Sequence, residues 1–136
     1  MEHCQDFLGT LLVHAGKLRP GGRLYYAIPN RLFTFDRDRP NTTIEHLVLD
    51  HEQGPSLSKR DHYLEWVHLV AKTPAHKAGA YAQSLMDAAY SIHFHAWDAR
   101  ALLHCLTAGI EYLRFPGSVV HFEMNGHEVI CLIEKE

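Results

Sequence analysis

Apolar positions 7, 8, 11, 12, 15 and 18 recur at helical spacing and predict a helix over 5–17. Asp6 is placed to cap its start, and Lys17 and Arg19 suit its C-terminal end. Pro20-Gly21-Gly22 then breaks the chain, and a nearly unbroken apolar run follows: Leu24, Tyr25, Tyr26, Ala27, Ile28. Such a run predicts a strand over 23–28 covered on both faces, ended by Pro29. Residues 30–42 are mostly polar and predict a long loop. A helix is expected from 43 to about 53, with Thr42 or Thr43 as N-cap and Gly54-Pro55 as its stop. A second helix over 58–72 places Tyr63, Trp66, Val67 and Val70 on one face. A third over 74–89 begins on Pro74, which a first turn tolerates, and is weakened at Gly79. Residues 90–97 (YSIHFHAW) alternate in polarity and predict an extended segment. Asp98 caps a helix reaching Ala108 and closed by Gly109. Two strand-like runs, 118–124 and 127–133, flank Asn125-Gly126, the signature of a type I′ hairpin.

The expected order is helix, strand, helical insertion, helix, then two hairpin strands. One doubly covered strand, a helical crossover and an antiparallel hairpin predict part of an α/β sheet with a reversed last strand. No linker or repeat divides the chain, so 1–136 reads as one domain, with 30–97 as a helical cap inserted within it.

Composition narrows the function classes. The chain has 136 residues and a formal net charge of −3, which gives no basic surface for nucleic acid or membrane. No apolar run approaches the roughly 18 residues that cross a bilayer. The first residues, MEHCQDFLGT, lack the basic and apolar regions of a signal peptide. Cys4, Cys105 and Cys131 are odd in number and widely spaced, which predicts reduced thiols in a cytoplasmic protein rather than a disulfide framework.

The 12 histidines are many for this length, and they are dispersed. His93 and His95 stand at i and i+2, so a strand would send both side chains to one face. His46 and Asp50 stand at i and i+4, on one helical face. His46, Asp50, His93 and His95, with Asp36 and Asp38 in a nearby loop, offer nitrogen and oxygen ligands to a metal. The other reading is that the two histidines bond to backbone or carboxylates and shape a substrate pocket. Asp36, Arg37, Asp38 and Arg39 alternate in sign. They form either a solvated loop with local ion pairs or an arginine fork for a carboxylate or phosphate. Asn30 and this loop follow the carboxyl end of the predicted strand, where open α/β sheets bind ligands. Tyr63, Trp66, Phe94 and Trp97 line a pocket or fill the core.

Several motifs act together. LRPGG-x-L (18–24) precedes a strand, and Glu2-His3 stands upstream of it. FTFDRDRP (33–40), EH (45–46), HYLEWV (62–67) and YSIHFHAW (90–97) follow. This set resembles the C-terminal half of class I S-adenosylmethionine-dependent methyltransferases, in a bacterial subgroup with a helical insertion after the fifth strand. The resemblance implies a partial Rossmann-like methyltransferase sheet: the fifth strand at 23–28 plus the terminal antiparallel hairpin. It implies a parent activity of methyl transfer to a small polar acceptor. It assigns Glu2 and His3 to the cofactor's border, with His3 as general base. It assigns Asn30, Asp36, Arg37, Arg39, His46, Tyr63, His93 and His95 to the acceptor.

The family's Gly-rich cofactor turn, which follows its first strand, has no counterpart here. The chain alone is therefore expected not to bind S-adenosylmethionine and to be inactive by itself. Glu2 and His3, at an extreme N-terminus, are expected to be disordered in it. The missing half is expected to leave the strand at 23–28 as an apolar edge open to self-association. The alternative function is a non-catalytic module that binds a metal, an anion or a protein through its His-rich insertion.

Overall fold

In the computed structural model, which describes residues 1–136, each helix begins close to where its cap and apolar pattern place it. The elements run α1 (Phe7–Gly16), β1 (Arg23–Pro29), a 3₁₀ turn (Arg31–Phe33), α2 (Ile44–Gln53), α3 (Lys59–Leu69), α4 (Ala75–Asp87), α5 (Ala99–Tyr112), β2 (Gly117–Asn125) and β3 (Glu128–Lys135). Asp6, Thr43 and Asp98 each accept a backbone N–H in the first turn of α1, α2 and α5. Gly21, at φ 73°, reverses the chain between α1 and β1. Gly21 N–H donates to the Lys135 carbonyl at 2.7 Å, which ties this turn to the end of β3.

The three strands form one antiparallel sheet in the order β1–β3–β2. The last strand lies in the middle, paired in register from Arg23↔Glu134 to Pro29↔Glu128 on one side. On the other side it meets β2, with a bulge between Val119 and His121. β1 and β2, both antiparallel to β3, run parallel to each other. The fold is thus α/β in content, with the reversed last strand that the order of elements predicted. No helix is long and apolar enough to cross a membrane.

Three local expectations are corrected. The strand at 23–28 is not covered on both faces: Tyr26 and Ile28 are buried, whereas Tyr25 is 63% exposed. Helices pack on one face of this small sheet only, so β1 alternates like a half-buried strand despite its apolar sequence. The hairpin loop is Gly126-His127, since Asn125 and Glu128 are the last paired residues. Of the two loop residues only Gly126 has positive φ (61°), which is the pattern of a type II′ turn rather than I′. Residues 90–97 are not a strand. They bend at Phe94 and touch the sheet through a single parallel bridge, Asn30↔Trp97.

The main core joins one face of the sheet to α1, α2 and α5. α5 contributes Leu102, Cys105, Leu106, Gly109 and Ile110, one stripe at helical spacing. Tyr26, Ile28, Val129, Cys131 and Ile133 meet it from the sheet, and Phe7, Leu8 and Leu11 from α1. Burial raises the Cys105 and Cys131 thiols to about 11, so both are inert at neutral pH. A second, smaller cluster holds α3 to α4: Tyr63, Val67, Ala78, Ala82 and Leu85, with Ile92 and Phe94 beneath. α2 therefore belongs to the main body, and within 30–97 the α3–α4 hairpin carries a separate apolar core.

Candidate functional site

A cavity of about 520 Å³ opens between α2, α3 and the loop before α2. Polar residues, among them Thr43, His46, Asp61 and Glu65, share its walls with apolar surface that includes Leu49, Leu57 and Phe94. That volume suits a small molecule, and the mixed lining can meet both apolar and polar parts of one.

Four ionisable side chains meet beside the cavity: His46 and His62, which line it, and the buried Asp50 and His95. Their placement follows from local structure. Thr43 caps α2, so His46 and Asp50 fall one turn apart on the face turned toward α3. Gly54, at φ 88°, and Pro55 turn the chain back, and α3 presents His62 from its buried face beside Tyr63 and Val67. His95 comes from the bent segment that leads into α5. One candidate ligand atom from each residue lies within 4.8 Å of those of the other three. His46 Nε2 is 3.0 Å from His62 Nε2 and 3.1 Å from Asp50 Oδ2, and His62 Nε2 is 3.7 Å from the same oxygen.

Two atoms in this cluster are buried without a hydrogen-bond partner, Asp50 Oδ2 and His95 Nδ1. His95 Nε2 lies 3.3 Å from the Gln5 carbonyl, which can only accept, so Nε2 carries the proton and Nδ1 is a bare lone pair. Burial, with the His62 and His46 imidazoles next to it, pushes His95 down to about 3. His62 is also lowered, by burial first and then by His46. Both rings are accordingly neutral at pH 7, the form that ligates metals. Asp50 Oδ1 accepts from the Ser58 hydroxyl.

A second group is built around Arg39, which is 2% exposed. Its guanidinium donates from Nε to Glu65 (2.7 Å), from Nη1 to Asp36 (2.8 Å) and to the His93 carbonyl (2.8 Å), and from Nη2 to the Phe94 carbonyl (3.1 Å). His93 Nδ1 sits 2.6 Å from the other Asp36 oxygen. Burial pushes the Asp36 carboxyl up, but hydrogen bonds from His93 and Arg39 outweigh it and hold the group below its ordinary value. Nearly all of the Arg39 fork is therefore spent inside the protein. Arg37 and Asp38 are exposed, and Asp38 pairs with Lys72.

The bend at Phe94 separates the two histidines that a straight strand would have aligned. His93 turns to Asp36 and His3, and His95 turns to His46 and His62. Of the four residues grouped from the sequence as metal ligands, the fold brings His46, Asp50 and His95 together, sets His93 apart and adds His62. No spacing in the sequence marks His62, because α2 and α3 are brought together by the turn at 54–58. Glu2 and His3 are ordered, contrary to expectation. The Glu2 carbonyl accepts from Phe94 N–H at 2.7 Å, and His3 Nδ1 lies 2.9 Å from the Ile92 carbonyl. His3 also stacks edge-on with His93, with ring centres 4.6 Å apart. Asn30 caps the 3₁₀ turn and is 3% exposed. The Tyr63 hydroxyl donates to the Tyr90 carbonyl at 2.7 Å. Neither residue lines the cavity, and Phe94 does. Trp97 lies in the main core, while Trp66 packs at the margin of the smaller cluster.

Compared with models of protein families, with curated proteins and with solved structures, the chain matches none.

Proposed function

We propose that the chain is the acceptor-side end of a class I S-adenosylmethionine-dependent methyltransferase fold, with the cavity between α2 and α3 receiving a small polar acceptor. One observation carries this reading. The last strand runs reversed between two mutually parallel strands that are joined through helices, as the end of such a sheet requires. The position of Glu2 and His3 against the segment that borders the cavity also supports it, as does the helical hairpin α3–α4 beside that cavity. His3, by resemblance the general base, holds its Nδ1 toward the Ile92 carbonyl, which leaves Nε2 as the atom available to take a proton.

The residues present do not by themselves fit the cofactor. β1 runs into Asn30 and a 3₁₀ turn, and no Gly-rich turn joins a strand end to a helix N-terminus. Cofactor binding on this reading needs strands contributed by other polypeptide, added at the outer edge of β1. Calorimetry tests this with S-adenosylhomocysteine. The 136-residue chain is expected to give little or no heat. The chain joined to, or mixed with, a polypeptide carrying the Gly-rich strand–turn–helix is expected to bind. Tight binding by the chain alone, or none by the completed protein, would sink the reading.

The same edge makes a physical prediction. β1 pairs only with β3, and its outward-facing Tyr25 is exposed. An edge with apolar side chains and unpaired backbone groups recruits further strands. The 15.5 kDa chain is expected to elute as a dimer or larger species in light-scattering chromatography at tens of micromolar, and a uniform monomer counts against edge pairing.

A further inference from the structure

We propose that His46, Asp50, His62 and His95 form a closed, four-ligand site for a divalent first-row transition metal, zinc being the ion best suited, which pins the α3–α4 hairpin to the main body. The inference is independent of any methyltransferase relationship. Three kinds of observation support it. The first is distance. Ligands about 2.0–2.1 Å from a tetrahedral ion lie about 3.3 Å from one another. The three separations among His46 Nε2, His62 Nε2 and Asp50 Oδ2 are 3.0, 3.1 and 3.7 Å, which bracket that value.

The second is the pair of orphaned acceptors. A buried polar atom without a partner is costly and uncommon. Here Asp50 Oδ2 and His95 Nδ1 are both bare, and both belong to the same cluster. Asp50 is 1% exposed and His95 is 0% exposed, so water cannot solvate them freely. A cation at the centre would satisfy both atoms at once. It would take the place of the hydrogen bond between the His46 and His62 ring nitrogens, both of which would then ligate it.

The third is the outer shell. Ligating imidazoles usually donate their second ring N–H to a carbonyl or carboxylate, and ligating carboxylates are themselves hydrogen-bonded. His95 Nε2 faces the Gln5 carbonyl, and Asp50 Oδ1 accepts from Ser58. Three imidazoles and one carboxylate favour zinc, cobalt or iron over magnesium or calcium, which take oxygen ligands. Four protein ligands leave no open position, which marks a structural rather than a catalytic ion. The ligands come from α2, from α3 and from the segment before α5, so a bound ion joins both apolar clusters across one wall of the cavity.

The test uses the whole chain, purified without a histidine tag and stripped with a chelator. Titration with Co²⁺ is expected to saturate at one ion per chain with the intense visible bands of a four-coordinate ion. Zn²⁺ is expected to displace it and to raise the melting temperature. His46→Gln, at the most exposed of the four positions, and His62→Gln are expected to weaken binding at least ten-fold. Ser58→Ala is expected to weaken it about ten- to a hundred-fold through Asp50. His93→Gln, in the neighbouring group, is expected to leave stoichiometry and spectrum unchanged. Three results would overturn the site: no stoichiometric Co²⁺ uptake, the pale spectrum of a six-coordinate ion, or a spectrum that survives His46→Gln and His62→Gln but is lost in His93→Gln.

Discussion

Arg39→Ala is expected to destabilise the protein by about 3–5 kcal/mol at neutral pH, because it leaves the Asp36 carboxylate buried with only His93 as partner. Two backbone carbonyls, of His93 and Phe94, lose their donors as well. A domain of this size has a total stability of roughly 5–15 kcal/mol, so the loss is a large share. At about 3 °C per kcal/mol the melting temperature should fall by roughly 10 °C or more. Arg39→Lys should recover only part of the loss, since an ammonium cannot reach four acceptors held in the plane of a guanidinium.

The pH dependence should change sign. In the unsubstituted protein Asp36 titrates below its ordinary value, so its contribution is present above about pH 4 and is lost as pH falls through the depressed folded-state value. In Arg39→Ala burial prevails and the carboxyl titrates higher than it does unfolded. Acid then protonates a group that the variant holds badly, and the difference between the two proteins should shrink toward pH 4. Urea unfolding at pH 7 and pH 4 checks both points. An equal loss at both pH values would mean that Arg39 acts by packing alone.

Trp97→Ala is expected to cost about 3–5 kcal/mol, the usual loss for deleting a large aromatic from a packed core. Trp97 is 1% exposed, tilts against Phe7 with ring centres 5.2 Å apart and lies 5.6 Å from the His95 ring. Its backbone forms the one bridge between the segment 90–97 and the strand layer, at Asn30. The cavity left behind would loosen α1 against that segment and free the His95 ring. Trp97→Phe should be much milder. The indole N–H is buried with no oxygen or nitrogen acceptor, only the Cys105 thiol beside it, so removing it also removes an unmet desolvation cost. Equilibrium unfolding followed by far-ultraviolet circular dichroism separates the two variants. Equal losses would show that the ring's apolar volume is not what matters.

Much of the secondary structure was legible locally. Asp6, Thr43 and Asp98 announced their helices because capping needs only a side-chain oxygen and the next turn of backbone. The length of α5 was not legible: Gly109, expected as its stop, lies buried within a helix that runs on to Tyr112, and a side chain at 109 would collide with Leu8 of α1. The hairpin was legible as a hairpin, but its loop lies one residue later than Asn125-Gly126 suggests. The pairing of β2 with β3, bulge included, selected Gly126-His127. The covering of β1 was not legible. An apolar run fits a doubly covered strand and a half-exposed edge equally well, and only the number of packed layers tells them apart.

The site divides in the same way. By itself the sequence determined that His46 and Asp50 share a helical face, because one turn of helix separates them. It also made His95 and the Asp36–Arg39 run candidates. Only the tertiary structure decided which of these residues meet. The turn at 54–58 brought His62 to His46 across 16 positions of chain. A single bend at Phe94 sent His93 to the Asp36–Arg39 group and His95 to the other cluster. Helix faces follow from period, which is local. The convergence of these four side chains depends on how turns and packing orient separate segments, and no spacing along the chain encodes it.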